Sequence, residues 1–258
     1  MSGDDLLLEV RDVELRFGGV RALHDVSFDV RHDELFAIIG PNGSGKTSTF
    51  NILNGVYRPQ KGAIRLGDVD LLRRSSAEIA HLGIARTFQN LGLFTNLSVV
   101  DNLMLGRHHL MRTGFFAGMA WWGRAKREEV EHRAAVEEVI DLLELEPHRH
   151  HHAGLLPYGV QKRVELGRAL AMEPKLLLLD EPVAGMNLEE TEDMARYIIE
   201  IRERLGLAMI LVEHEMHLVM DLADRVMALD FGRVLAIGTP REVQQHPDVI
   251  EAYLGTAA

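Results

Sequence analysis

A glycine-rich segment in the first fifth of the chain has the residue types and spacing of a phosphate-binding loop. It comprises Gly40, Pro41, Asn42, Gly43, Ser44, Gly45, Lys46 and Thr47. Glycines let backbone N–H groups close around phosphate oxygens, the Lys46 ammonium can reach the β and γ phosphates of a nucleotide, and the Thr47 hydroxyl can ligate Mg²⁺. The segment therefore predicts a site for a nucleoside triphosphate with magnesium.

The sequence on either side of this loop supports the same interpretation. Residues 35–39 are continuously apolar, as in a strand covered on both faces, and residues 46–55 have a helical pattern. A buried strand, a glycine-rich turn and a helix form the context that the motif requires. A purely structural glycine turn is the alternative, and this context disfavours it.

Two carboxylates follow a second apolar run. Residues 176–179 are four leucines, and Asp180 and Glu181 come directly after them. Anions beside a core are costly without a cation or hydrogen-bond donors, and a magnesium ion would supply the positive charge. Asp180 would hold the metal, directly or through water, and Glu181 would accept a proton from the water that attacks the γ-phosphate. The alternative is a solvated strand end with an acid that caps a helix.

The remaining patterns predict how these residues are positioned. Period-two alternation over residues 13–17 and 26–30 indicates antiparallel strands. Apolar strands at 84–88, 176–179 and 209–212, with helices between them, indicate a mainly parallel sheet. Between about 101 and 171 the periodicity is helical.

The expected organisation is thus an α/β domain over residues 6–254, with a helical subdomain at about 90–172. After Asp230, a Phe-Gly turn is expected to join two short strands. Thr239, Pro240 and Glu242 then predict a helix start with a capping box.

The order of these motifs resembles that of the ATP-binding subunits of ABC transporters, over essentially the whole chain. The resemblance implies a P-loop NTPase fold of the ABC ATPase type, with an N-terminal antiparallel β subdomain and a helical signature subdomain. It also implies ATP and Mg²⁺ as ligands, and ATP hydrolysis as the reaction. Phe17, before the second strand, stands where the family has the aromatic residue that stacks on adenine.

Two further polar side chains take catalytic roles through this resemblance. Residues 84–89 resemble the family's Q-loop, which puts Gln89 near the metal and the attacking water, at the hinge to the helical subdomain. Residues 212–215 resemble the switch segment, in which His214 would contact the γ-phosphate. The implied catalytic residues are Glu181, His214, Gln89 and Lys46, and the implied metal ligands are Thr47, Gln89 and Asp180.

The chain departs from the family pattern in the signature motif. Residues 156–163 occupy its place, but the common Leu-Ser-Gly-Gly-Gln is replaced by Leu-Pro-Tyr-Gly-Val. Pro157 lacks the hydroxyl that would bind phosphate, Tyr158 replaces a glycine, and Gly159 keeps the small residue. The resemblance implies that Tyr158 and Gly159 face the nucleotide of a second subunit. Asn187 stands where the D-loop usually has aspartate.

Other details resemble the ATPase subunits of branched-chain amino acid importers. They are the Arg-Thr-Phe-Gln segment at 86–89, the tyrosine at 158, residues 212–216, the C-terminal 252–255 and an aromatic insertion at 113–122. The insertion could dock on another subunit or fill the subdomain core. The implied partners are transmembrane permease subunits, a second ATPase subunit of the same or a different kind, and, indirectly, a solute-binding protein.

Composition limits the other classes of function. The net charge of −11 gives no electrostatic reason to bind nucleic acid, so no nucleic-acid partner is expected. The absence of cysteine excludes disulfides and thiolate metal sites and suits a reducing compartment. The acidic start is not typical of a secretory signal, and no stretch approaches the roughly 18 apolar residues of a membrane span. A peripheral location on the cytoplasmic face of the inner membrane is expected.

Two other functions remain as alternatives. A soluble ABC ATPase that acts on DNA or the ribosome would be expected to have duplicated domains, a coiled-coil insertion or a basic arm. A small-molecule kinase with a phosphate loop would be expected to have an acceptor-binding lid instead of the series formed by Gln89, Gly159 and His214. The sequence shows neither set of features.

Overall fold

The computed structural model describes residues 6–87, 92–110 and 124–254, without the side chains of 124–127 and 254. Gln89, the insertion at 113–122 and Gly255 lie outside the described residues. The described part forms ten strands in two sheets. The strands are β1 (Leu6–Phe17), β2 (Val20–Arg31), β3 (Leu35–Ile39), β4 (Lys61–Leu66), β5 (Val69–Asp70), β6 (Ile84–Arg86), β7 (Leu176–Asp180), β8 (Ala208–Val212), β9 (Arg225–Asp230) and β10 (Arg233–Gly238).

The smaller sheet contains the N-terminal strands in the order β2-β1-β4-β5, and all its pairings are antiparallel. The larger sheet has the order β10-β9-β3-β8-β7-β6, with β10 antiparallel to β9 and the other pairings parallel. This confirms the predicted combination of an antiparallel N-terminal sheet and a mainly parallel central sheet.

Helices surround the larger sheet. Those described are α1 (Lys46–Leu53), α2 (Ser76–His81), α3 (Val99–Gly106), α4 (Arg124–Leu142), α5 (Tyr158–Leu170), α6 (Leu188–Leu205), α7 (Met216–Leu222), α8 (Pro240–Gln244) and α9 (Pro247–Leu254). Short 3₁₀ turns lie at Leu71–Arg73, Arg107–Leu110, Glu146–His148 and Ala153–Leu155. Within the described ranges, no helix combines the length and the apolar character needed to cross a bilayer.

The larger sheet separates two apolar cores. Successive residues of a strand point to opposite faces, so Leu177 and Leu179 pack with the helices α3 to α6, while Leu176 and Leu178 pack with the N-terminal sheet and α1. β3 is divided between the two cores in the same way and is fully buried along its length. Burial on both faces fixes the carboxyl ends of β3, β7 and β8, and the sequence motifs follow directly after these ends.

Several predicted boundaries hold to within a few residues, but β1 begins at Leu6 and β2 at Val20, well before the alternating segments at 13–17 and 26–30. The helix after the phosphate loop ends at Leu53 rather than at residue 55, because Asn54 and Gly55 close it with turn hydrogen bonds. β6 ends at Arg86, and residue 88 of the predicted strand is outside the described part. The turn after Asp230 and the capping box of Thr239 with Glu242 are confirmed.

Candidate nucleotide-binding site

The phosphate loop connects β3 to α1 at the carboxyl edge of the parallel sheet, where α/β proteins bind ligands. A Cβ atom on Gly40 would lie 2.1 Å from the Leu229 carbonyl oxygen. Gly45 has φ +112°, and a Cβ there would lie 2.8 Å from the Leu23 side chain. Both positions therefore require glycine, because β9 and β2 press against the loop backbone.

Lys46 is the first residue of α1, and its side chain is buried. Its Nζ donates to the carbonyl oxygens of Gly40 at 2.6 Å and Pro41 at 3.0 Å. Burial lowers the pKa of Lys46, while the carboxylates of Glu181 and Asp180 oppose this shift. The fold thus brings the predicted lysine and both predicted carboxylates into one electrostatic site.

Two hydroxyl groups of the loop fit a phosphate with a bound cation. The Ser44 Oγ atom is buried and has no hydrogen-bond partner among the described residues, so a phosphate oxygen would satisfy it. Thr47 is exposed on the first turn of α1, and the amino end of that helix attracts anions. Mg²⁺ is usually held by one or two carboxylates together with substrate phosphates. The Thr47 hydroxyl and the Asp180 carboxylate form a donor set of this kind.

Asp180, the last residue of β7, forms a buried ion pair. Its Oδ2 accepts a hydrogen bond of 2.6 Å from Nη2 of Arg86, and the two side chains are only 4% and 9% exposed. The Asp180 N–H donates to the Thr87 hydroxyl at 3.1 Å. The sequence interpretation used Arg86 only as a mark of family resemblance and missed this contact. The signal was present, because a buried carboxylate demands a cation.

Glu181 and His214 meet at the same sheet edge. The Glu181 N–H donates to the Val212 carbonyl at 2.9 Å, and its backbone has a positive φ of +47°, which is uncommon outside glycine. Nε2 of His214 contacts Oε1 of Glu181. The histidine is therefore the side-chain partner of the predicted base, and its contact with the γ-phosphate, which the resemblance implies, stays a prediction.

Glu213 is a buried carboxylate that sequence reasoning missed. Its Oε1 accepts from the Val183 N–H at 3.3 Å, and its Oε2 accepts from the His214 N–H at 3.0 Å. Burial raises the pKa of Glu213, although these two N–H donors oppose the shift. The side chain joins the ends of β7 and β8, which carry Glu181 and His214.

The predicted adenine-stacking residue lies at the tip of a hairpin that touches the loop. Phe17 ends β1, is 46% exposed, and packs edge-on against Tyr57 with 4.9 Å between ring centroids. In the same hairpin, Ala22 and Leu23 are the neighbours of Gly45. A half-exposed ring on a hairpin that contacts the phosphate loop fits a nucleobase, and this role stays a prediction.

The C-terminal helix also reaches the loop. The N–H of Gly40 faces the hydroxyl oxygen of Tyr253 on α9; burial raises the pKa of this tyrosine and the N–H opposes the shift. An open cavity of about 540 Å³ lies between residues 41–44 and the α9 residues Asp248 and Glu251. The ending at 252–255, quoted above only as a resemblance, thus contacts the first glycine of the phosphate loop.

The signature segment contacts residues 184–187 of its own chain, which occupy the place of the family's D-loop. The Tyr158 hydroxyl donates to the Ala184 carbonyl at 3.0 Å. A Cβ on Gly159 would lie 2.5 Å from Oε1 of Glu190. Asn187 is the N-cap of α6 and forms a capping box with Glu190, a local role that asparagine and aspartate fill about equally well. The implied contact of Tyr158 and Gly159 with the nucleotide of a second subunit stays a prediction.

A family model described as ABC transporter matches residues 23–184. The chain belongs to the ABC transporter ATP-binding family. A second model, described as branched-chain amino acid ATP-binding cassette transporter, matches residues 233–258. The high-affinity branched-chain amino acid transport ATP-binding protein LivG of Salmonella typhimurium is 41% identical over 254 residues, which are 97% of this chain and 98% of that protein. BraF of Pseudomonas aeruginosa, which has the same description, is 39% identical over the same shares.

Solved structures confirm the predicted fold of this ABC family member. A nucleotide-free ATP-binding cassette from an ABC transporter superposes with a TM-score of 0.83 at 28% identity, covering 96% of this chain and 98% of that one. The ADP conformation of an ATP-binding cassette gives 0.84 at 28% identity, with 97% and 99% covered. The predicted ABC ATPase architecture and its nucleotide-binding character are therefore correct.

Proposed function

We propose that this chain binds ATP with Mg²⁺ and hydrolyses it as the ATPase subunit of an importer for branched-chain or related amino acids. The observation that carries the proposal is the convergence of Lys46, Asp180, Glu181 and His214 on one sheet edge beside a loop with an unsatisfied buried hydroxyl. The transport substrate is inferred from the names of the relatives LivG and BraF.

The roles follow from these positions. Lys46 moves its ammonium from the loop carbonyls to the β and γ phosphates, and the loop N–H groups bind the same oxygens. Phe17 stacks on adenine. Thr47 and Asp180, with Gln89 through the family resemblance, would hold Mg²⁺, which would supply positive charge to neutralise the charge that develops on the transferred phosphate.

Proton transfer is assigned to Glu181. Its carboxylate accepts a proton from the attacking water, and the contact with His214 holds the carboxylate in place. The pair lies at the ends of β7 and β8, and Glu213 joins these ends through two backbone N–H groups. The rigid sheet edge keeps the base at a fixed distance from Lys46, so a bound γ-phosphate would meet both groups.

The assembly we infer has two such subunits arranged head to tail. Residues 6–254 act as one domain whose helical part, at about 90–172, presents Tyr158 and Gly159 to the nucleotide of the other subunit. Transmembrane permease subunits would hold this pair at the cytoplasmic face of the inner membrane and would receive solute from a binding protein. The names of the relatives, which describe ATP-binding proteins of branched-chain amino acid transport, support these partners.

Two substitutions test the proposal on the purified chain. Lys46→Ala should abolish high-affinity binding of a fluorescent ATP analogue, because the cation for the β and γ phosphates is lost. Glu181→Gln should keep that binding and lower phosphate release by about 10²- to 10⁴-fold, the range for loss of a general base. The exposed residues Lys175 and Glu192 provide matched controls as Lys175→Ala and Glu192→Gln. Near-normal turnover in Lys46→Ala would show that the site is assigned wrongly.

The import function needs a second assay. The chain should be co-expressed with transmembrane permease subunits of a branched-chain amino acid importer, and leucine uptake should be measured in proteoliposomes loaded with ATP. Uptake that is present with the unmodified chain and lost with Glu181→Gln supports the proposal. ATP turnover without solute uptake in any such complex would favour an ATPase that acts on another partner.

A further inference from the structure

A largely buried arginine side chain faces the carboxylate that is proposed to hold magnesium. Arg86 is the last residue of β6, and Leu178 of β7 is its register partner. Its Nη2 donates to Oδ2 of Asp180 at 2.6 Å. Its Nη1 donates to Oδ1 of Asn51 at 2.7 Å, and its guanidinium lies 5.4 Å from the centre of the Phe50 ring. The arginine thus connects α1 to β7, the two elements that carry Thr47 and Asp180.

This contact supplies the positive charge that the buried Asp180 carboxylate requires. The Asp180 side chain is 4% exposed, and an ionised carboxylate at that depth needs a cation. The other nearby cation, the Lys46 ammonium, is bound to the Gly40 and Pro41 carbonyls and is positioned for phosphate. Within the described part of the chain, the guanidinium of Arg86 is the group that forms an ion pair with Asp180.

We propose that Arg86 is the internal counter-ion of Asp180, a positioning residue that compensates this carboxylate until magnesium arrives with the nucleotide. The guanidinium of Arg86 and the metal would then compete for the same carboxylate, so each lowers the affinity of Asp180 for the other. This inference rests on the proposed function, because it assumes that Asp180 faces the metal. Its new content is a negative coupling between a side chain and the metal.

The coupling predicts an effect that a merely structural arginine would not produce. Breaking a buried pair leaves an uncompensated charge, so loss of Arg86 should destabilise the nucleotide-free protein. Mg²⁺ bound with ADP would compensate Asp180 in the variant and recover part of that loss. By reciprocity, the variant should bind the metal more tightly than the unmodified chain does.

The test uses the full chain with Arg86→Met, Asp180→Asn, the double variant and Arg86→Lys. Without nucleotide, Arg86→Met should lower the melting temperature by on the order of 10 °C, and Arg86→Lys by less. Saturating ADP with Mg²⁺ should reduce the Arg86→Met deficit by about half, whereas ADP with EDTA should not. In the Asp180→Asn background, removing Arg86 should cost little.

Metal binding gives a second readout, independent of turnover. Mn²⁺ can replace Mg²⁺, and its binding in the presence of ADP can be followed by electron paramagnetic resonance. Mn²⁺ should bind to Arg86→Met roughly tenfold more tightly than to the unmodified chain, which corresponds to about 1.4 kcal/mol. A matched control is Arg107→Met. Arg107 is a second buried arginine, and it donates to His132, to the Ala171 carbonyl and to Glu173. The decrease in melting temperature that Arg107→Met causes, relative to the unmodified chain, should be the same with and without Mg²⁺.

The outcomes separate the two proposals. Equal deficits for Arg86→Met with and without Mg²⁺, or weaker Mn²⁺ binding, would overturn the counter-ion role while leaving nucleotide binding intact. If Arg86→Met fails to fold, the double variant and Arg86→Lys still complete the comparison. If ADP with Mg²⁺ stabilises none of the proteins, including the unmodified chain, then the proposed function itself fails.

Discussion

Gly159 offers a quantitative test of why the signature segment needs a glycine. A Cβ added at this position would lie 2.5 Å from Oε1 of Glu190, so Gly159→Ala must displace the Glu190 carboxylate. That carboxylate accepts the Asn187 N–H at 3.0 Å in the capping box of α6. Losing the bond costs about 0.5–1.5 kcal/mol. Alanine in a helix gains about 0.5–1 kcal/mol over glycine, so the two terms nearly cancel in the single variant.

The double variant removes this cancellation. With Glu190→Ala already present, Gly159→Ala meets no carboxylate and should stabilise the protein by about 0.5–1 kcal/mol. The expected coupling energy between positions 159 and 190 is therefore about 1 kcal/mol, or roughly 2–4 °C in melting temperature. Urea unfolding of the four proteins measures it. Additive effects within about 0.3 kcal/mol would refute the reasoning, because the glycine would then not be required by Glu190.

Two predictions concern other carboxylates of the site. Burial raises the pKa of Glu213, so its stabilising contribution is present at and below its ordinary value of 4.5 and is lost as the pH rises through the folded value. The melting temperature of Glu213→Gln relative to the unmodified chain should therefore increase with pH above 4.5, and a decrease would contradict the burial effect. The second prediction concerns a complex of this chain with a different ATPase subunit whose signature contains serine. In that complex, Glu181→Gln should remove most of the ATPase activity, whereas the equivalent substitution in the partner should remove little. The reason is that Pro157 has no hydroxyl to donate to the γ-phosphate at the partner's site. A hydrogen bond to a charged group contributes about 1.5–3 kcal/mol, which corresponds to about one to two orders of magnitude in rate. Equal losses of activity in the two variants would refute this asymmetry.

The parts of the site that are local in sequence could be predicted. The loop at 40–47 and the carboxylates Asp180 and Glu181 each follow a buried apolar strand, and strand, turn and helix signals there agree with one another. The parallel sheet followed from strands that alternate with helices. The domain bounds 6–254 remain a prediction, and so do the roles of all the candidate site residues, including Lys46, Asp180, Glu181, His214, Gln89 and Phe17.

The missed contacts are those between segments far apart in the chain. Arg86 meets Asp180 because β6 is the neighbour of β7, although 94 positions separate the two residues. Glu190 meets Gly159 because α6 packs beside the first turn of α5. Periodicity describes one element at a time and contains no information on which elements become neighbours. The strand order was therefore needed before these contacts could be found.

The position of β3 between β8 and β9 has a consequence for synthesis of the protein on the ribosome. Leu35 pairs in register with Met209, which is made roughly 170 residues later. At an elongation rate of about 5–20 residues per second, β8 and β9 are synthesised on the order of ten to thirty seconds after β3. Throughout that time β3 lacks both strands that pair with it in the sheet, because β8 and β9 are made after it. The nascent chain should accordingly be a client of ribosome-associated chaperones, and ATP should bind only after the last fifth of the polypeptide has emerged.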